Sequence, residues 1–384
     1  MSNFSFETTP RVICADGESE RLGGLLREFG INRPLVVTDP GIVSAGLLEP
    51  MLASLRALGI DVTVFDDVVA DPPASCVEAA VATAQASHID GVIGFGGGSS
   101  LDVAKLVALL SRSGESLEAV YGVGLAGGPR WPLIQVPTTA GTGSEVTPIA
   151  IVTTPSGEKQ GVVSRLLYPN VAVLDATLTL GLPARVTAMT GIDAMVHAIE
   201  AYTSRHAKNV LSDTLAVRAL RLLSDHIGVA IENGTDLAAR RAMLQGSMLA
   251  GMAFANAPVG AVHALAYPLG GQFHVPHGLS NALVLLPVLE FNLSEAEPLY
   301  RELADAVRAG ERTWHRSASG RAFVDAMATI VGELGLERTL GEVGIIEADL
   351  PSLATDAMKV QRLLVNNPRD VDYDQALALY REAL

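Results

Sequence analysis

The sequence is poor in cysteine and in positive charge, and each shortage removes a class of function. Cys14 and Cys76 are the only cysteines and form no CxxC pair, so neither a disulfide framework nor a thiolate metal site can be drawn from them. A reducing cytoplasm fits. Lysine and arginine number 27 against 42 acidic residues, and the net charge of −15 repels nucleic-acid phosphates and anionic membrane surfaces. Neither a nucleic acid nor a membrane is expected as a partner. Residues Met1 to Glu7 lack a basic stretch followed by an apolar run, so no signal peptide is expected. Unbroken apolar runs are also missing. The mean hydropathy of +0.33 invites a membrane reading, and Met243 to Phe273 contains no Asp, Glu, Lys or Arg. Yet Gly246, Gly251, Asn256, Pro258, Gly260 and Pro268 interrupt it, whereas a spanning helix needs about 20 continuous, mostly apolar residues. The stretch reads as buried helices, which leaves its one histidine, His263, to be explained.

What is present suggests two domains. A chain of 384 residues exceeds the size at which one core keeps growing. In the first half, short β-type runs alternate with helical stretches: Pro34 to Thr38, a helix near Val43 to Leu58, Asp61 to Phe65, a helix near Ala74 to Ala86, and Gly91 to Phe95. That order predicts a parallel sheet with helices on its faces. Trp131 to Val136, Pro148 to Val152 and Asn170 to Leu174 read as later strands. Beyond Gly181 to Arg185 the pattern becomes long and helical, as in Ser212 to Ile231 and Leu237 to Ala255. The expected division is an α/β domain over 1–182 and an all-helical domain over 183–384, with Arg308 to Arg321 as a surface connection.

Two loops suit phosphate. Gly96-Gly97-Gly98-Ser99-Ser100-Leu101-Asp102 follows a predicted strand and opens a predicted helix, where glycines let the backbone approach an anion and the helix start offers N–H groups. It is neither the Rossmann GxGxxG nor a Walker loop, and a tight strand-to-helix turn explains it equally well. Pro137-Thr138-Thr139-Ala140-Gly141-Thr142-Gly143-Ser144-Glu145 follows another strand with hydroxyls that can grip a pyrophosphate, or make an ordinary polar turn. Together the two loops favour a nucleotide. Asp39, before Pro40, can accept from ribose hydroxyls and repel a 2′-phosphate, although position alone favours a turn-forming residue.

Asp193 and His197 are four apart in a segment that reads as a helix start at Thr190, so they share a face and can ligate one ion. A capping box of Thr190 with Asp193 is the competing explanation. His263 lies in the uncharged stretch and His277 follows in Val275-Pro276-His277-Gly278-Leu279-Ser280-Asn281. A buried, unpaired imidazole is expensive, whereas a metal ligand is satisfied. One Asp and three His suit Fe²⁺ or Zn²⁺ rather than Ca²⁺ or Mg²⁺. Spacing alone does not select these four over His88, His206, His226, His274 or His315.

Gly96 to Lys105, Pro137 to Glu145, Gly191 to Tyr202 and His263 to Asn281, with the tail Asn366-Asn367-Pro368-Arg369, resemble the iron-containing (group III) alcohol dehydrogenases over nearly the whole chain. The resemblance implies an N-terminal dinucleotide-binding domain, a helical metal-binding domain, and hydride transfer between an alcohol and NAD with the metal as Lewis acid. It implies Asp193, His197, His263 and His277 as ligands of Fe²⁺, with Zn²⁺ an alternative. It implies Asp39, Gly97, Gly98, Ser99, Asp102, Thr138, Thr139, Thr142, Ser144 and Lys159 as NAD contacts; His277 and, from its spacing to His263, Tyr267 are expected at the catalytic step. Two departures stand out. Many members carry Asn-Pro where this chain has Asp71-Pro72, and diol-oxidising members often carry a second histidine where Tyr267 stands. His263 and Tyr267 are four apart, which puts the phenol beside the metal site, where it donates to substrate or simply fills space.

The default substrate pair is a primary alcohol and its aldehyde. Maleylacetate reductase, or another oxo- or hydroxy-acid reductase, competes, although His263 to Asn281 offers no Arg or Lys for a carboxylate. A lyase of the dehydroquinate synthase kind is more remote, and a metal- and nucleotide-binding protein without turnover is the non-enzymatic alternative. Homo-oligomerisation stays open.

Overall fold

The computed structural model describes residues 3–155, 157–307 and 319–384. The stretch expected as a surface connection, Arg308 to Arg321, lies outside the described residues as far as Ala318. The chain forms two compact units: Thr8–Thr139 with Gly143–Gly181, and Leu182–Leu384 with 3–7 and Ala140–Thr142.

The first unit runs β1 (Val12–Cys14), α1 (Leu22–Glu28), β2 (Pro34–Val37), α2 (Pro40–Ser44), α3 (Glu49–Ala57), β3 (Thr63–Phe65), α4 (Ala74–Ala86), β4 (Gly91–Gly96), α5 (Gly98–Ser113) and α6 (Leu117–Val120). It continues through β5 (Gly122–Val123), β6 (Leu133–Pro137), β7 (Ile149–Thr153), β8 (Lys159–Val163) and β9 (Val171–Leu174). A six-stranded sheet of order β1-β9-β6-β4-β2-β3 is parallel throughout. β2, β4, β6 and β9 are buried along their whole length, as strands covered on both faces must be. Two apolar clusters flank the sheet, one including Val92, Val103 and Leu133, the other Val36, Ile93 and Ile134. Successive strand residues thus point to opposite layers. A Cβ on Gly94 would lie 2.8 Å from Ala104 Cβ, so this glycine lets α5 pack close on β4.

The structure departs from the sequence reading in three places here. Val43 to Leu58 is two helices, because Gly46 takes a left-handed φ of 71° and Pro50 opens a new first turn. β7 pairs antiparallel with β8, and β8 pairs with β5, in a separate three-stranded sheet. β1, β5 and β8 have no counterpart among the expected strands.

The second unit contains α7 (Ala184–Thr203), α8 (Val210–Glu232), α9 (Leu237–Asn256), α10 (Ala261–Phe273), α11 (His277–Val307), α12 (Gly320–Glu333), α13 (Leu350–Lys359), α14 (Gln361–Leu364) and α15 (Tyr373–Ala383). Asn209 and Asp236 cap α8 and α9 through Ser212 N–H and Ala239 N–H. The uncharged stretch is divided between α9 and α10, bent by 105°, and no single described helix is long and apolar enough to cross a membrane. The expected helix start at Thr190 is corrected. α7 begins at Ala184, and Thr190 sits inside it with Oγ1 donating to Val186 O at 2.9 Å, so it makes no capping box with Asp193.

Candidate metal and cofactor site

Three helices of the second unit bring the metal candidates together. Along α7, Asp193, His197 and Glu200 recur at helical spacing, which stacks them on one face. α10 carries His263 in its first turn and Tyr267 one turn later, and α11 starts at His277. The start of α11 presses on α7 because residue 278 is glycine: a Cβ there would lie 2.0 Å from Met189 O. His277 Nε2 therefore stands 3.5 Å from Asp193 Oδ1, and His263 Nε2 stands 3.8 Å from the same oxygen. One donor atom each from Asp193, His263 and His277 falls within 4.8 Å of the others. His197 is outside that group of three. Its Nε2 lies 3.0 Å from His263 Nε2, and its ring stacks between Phe254 and His263 at 4.3 and 4.6 Å.

These separations suit a small cation. Four ligands about 2.1 Å from a tetrahedral ion lie about 3.4 Å apart. The 3.5 and 3.8 Å from Asp193 to His277 and His263 and the 3.0 Å between His197 and His263 are near that edge, while His197 does not come within 4.8 Å of all three of the others. Burial pushes His197 down to about 3, so its ring is neutral and available as a donor. Burial raises the Asp193 carboxyl, but His197, His277, His263 and the Asn281 amide outweigh it and hold the group below the usual carboxylate range. An ionised Asp193 beside a neutral His197 is the protonation state that a divalent ion requires of those two donors. His277 keeps 28 % of its side chain exposed, against 3 % for Asp193 and for His263, so the cluster is open on one side.

Two supporting residues had no role in the sequence reading. Glu200 Oε2 lies 2.6 Å from His263 Nδ1, and Oε1 accepts from Val262 N–H at 2.7 Å. Asn281, fully buried, donates from Nδ2 to Asp193 Oδ1 at 2.6 Å. The available signal was position: Glu200 is one turn beyond His197, and Asn281 is one turn beyond His277. Tyr267 tilts its ring against His277 at 6.1 Å between centroids. Arg362, on α14, has its guanidinium 6.0 Å from the centre of the Tyr267 ring.

In the α/β unit the candidate cofactor residues other than Lys159, which opens β8, follow the ends of β2, β4 and β6. Gly97 caps α5, and Gly98 and Ser99 form its first turn, where N–H groups have no intrahelical acceptor. A Cβ on Gly97 would come within 3.5 Å of Thr139 Cγ2, which shows how closely the two loops approach. Thr138 is buried, N–H donating to Gly96 O at 2.9 Å, and its hydroxyl has no partner among the described residues. Asp39 caps α2 through Ile42 N–H at 3.1 Å while its other oxygen accepts from Ser100 Oγ at 3.1 Å. Ser144 Oγ donates to Asp102 Oδ1 at 2.5 Å, and Asp102 Oδ2 accepts from Ile151 N–H, so these two are tied to each other and to β7. Lys159 Nζ pairs with Asp71 Oδ1 at 2.6 Å. Asp71, noted in the sequence as a departure from the expected Asn-Pro, is thus the partner of the candidate lysine. Thr142 falls in Ala140–Thr142, which belongs with the helical unit.

The pattern described as iron-containing alcohol dehydrogenase matches residues 9–176, and that of the C-terminal part of the Fe-containing alcohol dehydrogenase family matches 187–384. The chain is 38% identical to the probable alcohol dehydrogenase EutG of Escherichia coli (strain K12), over 99% of this chain and 94% of that protein. It is 36% identical to the sulfoacetaldehyde reductase of Bilophila wadsworthia (strain 3_1_6), over 98% of each. The solved structure of an alcohol dehydrogenase from Oenococcus oeni superposes with a TM-score of 0.94, at 32% identity and covering 100% of both chains. Patterns spanning both units and relatives matched end to end agree with the donor set and the two loops: the chain belongs to the iron-containing alcohol dehydrogenase family.

Proposed function

We propose that the protein interconverts an alcohol and its aldehyde by hydride transfer to and from NAD, at a divalent metal held by Asp193, His197, His263 and His277. The convergence of Asp193, His263 and His277 within 4.8 Å, with His197 beside them, carries this reading. An Fe²⁺ or Zn²⁺ ion there would supply Lewis-acid polarisation of the substrate oxygen, and NAD the hydride acceptor. The chain's own part is alignment. Gly97, Gly98 and Ser99 offer backbone N–H groups to the pyrophosphate, Thr138 and Thr139 offer hydroxyls, and Asp39 favours a free ribose over a 2′-phosphate. His277 stands on the open side of the donor set and Tyr267 walls it, with its hydroxyl available to donate to the substrate.

Arg362 supports a second substrate class. His263 to Asn281 contributes no cation, but α14 brings this guanidinium to the ring of Tyr267, where an aldehyde bearing a carboxylate or sulfonate would find a partner. The test loads the full chain anaerobically with Fe²⁺ or Zn²⁺ and follows NADH absorbance with matched neutral and acidic aldehydes. Oxidation of NADH with either series supports the reaction, and the faster series names the class. No oxidation with any aldehyde, and no NAD reduction with any alcohol, overturns it.

A further inference from the structure

Behind the donor set stands a second, buried carboxylate. Glu200 is 6% exposed, and its two oxygens face two different features of α10. Oε1 accepts from Val262 N–H at 2.7 Å in the first turn. The residue before α10 is Gly260, without a side chain to cap it, so the orphan amides are met from elsewhere: Val262 by Glu200, and Ala261 by Asn367 Oδ1 at 3.4 Å. Oε2 faces His263 Nδ1 at 2.6 Å. An ionised carboxylate only accepts hydrogen bonds, so this contact requires the proton on Nδ1. In a neutral imidazole that leaves Nε2 bare, and Nε2 is the atom 3.0 Å from His197 Nε2 and 3.8 Å from Asp193 Oδ1.

We propose that Glu200 is a positioning residue that selects the metal-ligating tautomer of His263 and fixes its ring, beyond capping α10; this rests on the reading of the donor set as a metal site. Capping alone and tautomer selection differ in what they expect of Glu200→Gln. The amide retains one oxygen that accepts from Val262 N–H, so a cap survives. The other atom then becomes an N–H donor facing His263 Nδ1, which must turn acceptor and move its proton to Nε2, where it blocks ligation. A ligand histidine that loses its carboxylate partner typically costs about 10–100-fold in metal affinity.

The experiment strips the full chain of metal and titrates Zn²⁺ against a chromophoric chelator for wild type, Glu200→Gln and His263→Ala, with circular dichroism and Tm recorded on each. The expected result is a Zn²⁺ affinity about 10–100-fold weaker in Glu200→Gln, with the fold retained and the visible band of the Co²⁺-loaded protein shifted. A Glu200→Gln protein that binds Zn²⁺ within about twofold of wild type, below that range, leaves Glu200 a cap and overturns the proposal. If His263→Ala binds as tightly as wild type, the metal-site reading itself fails, whatever Glu200 does. Should Glu200→Gln not fold, ¹⁵N-histidine spectra of the Zn²⁺-loaded wild type decide. A downfield Nδ1 proton absent from His263→Ala supports the proposal, and no such proton overturns it.

Discussion

The donor set of the helical unit, carried by α7, α10 and α11, and the glycine-rich loop of the α/β unit, where β4 runs into α5, use the chain in opposite ways. Around α7, α10 and α11 the side chains converge, and two of them are held by a further side chain: His263 by Glu200, Asp193 by Asn281. In the α/β unit the side chains largely engage each other, Ser144 with Asp102, Ser100 with Asp39, Lys159 with Asp71, which leaves chiefly the Gly97 to Ser99 backbone and the Thr138 hydroxyl for an anion. The first site should therefore fail when a side chain is removed, and the second when one is added.

Gly96→Ala sharpens that contrast with the largest expected effect in the α/β unit. Gly96 holds a φ of 152°, and a Cβ there would lie 2.8 Å from Ser100 Cβ and 3.1 Å from Asp39 Oδ2. Such strain costs about 1–3 kcal/mol, so the KM for NAD should rise about tenfold or more while Zn²⁺ stoichiometry stays unchanged. An unaltered KM would mean that the loop does not hold the cofactor.

Tyr267→Phe probes the wall of the donor set by removing only a hydroxyl. A hydroxyl that donates to the reacting oxygen should be missed by about tenfold in kcat/KM, the scale of one hydrogen bond. No change with any accepted substrate would make Tyr267 a space-filler against His277.

The smallest effect belongs to the α/β unit's buried acid. Glu145 is 2% exposed, one oxygen has no partner among the described residues, and burial pushes its carboxyl up to about 7. Its folded pKa exceeds the ordinary carboxylate value of about 4.3, so between the two the folded state binds more protons than the unfolded one. Stability then falls as pH rises through that window. Glu145→Gln should raise Tm at pH 8 by a few degrees, and the gain should shrink as pH falls and close below about pH 4. A gain independent of pH would show that Glu145 is not protonated in the fold.

The helical pattern of the second half, the β2 and β4 strands and the α4 helix were legible because their periodicity is local. Asp193 and His197 were legible as a pair for the same reason, since four residues on one helix fix their separation. His263 and His277 were not, because they reach Asp193 from two other helices, and only the resemblance to a family assembled all four. Local imitation also misled: Thr190 and Asp193 copy a capping box, but Pro183 sets the true start of α7 more than a turn earlier. Glu200 and Asn281 lay within the motifs and drew no notice, because their partners, His263 and Asp193, are distant in sequence. β8 was missed because Lys159-Gln160-Gly161 opens it without an apolar alternation, and its pairing with β7 supplies what its composition does not.

The central claim is that turnover depends on a metal at the Asp193, His197, His263 and His277 set. The most direct measurement removes metal with a chelator under anaerobic conditions, verifies its absence by elemental analysis, and assays aldehyde reduction before and after one equivalent of Fe²⁺ or Zn²⁺. The account predicts a loss of at least about a hundredfold on stripping, since Lewis-acid polarisation contributes several kcal/mol, and recovery on adding the ion back. Full activity in the stripped protein would contradict it.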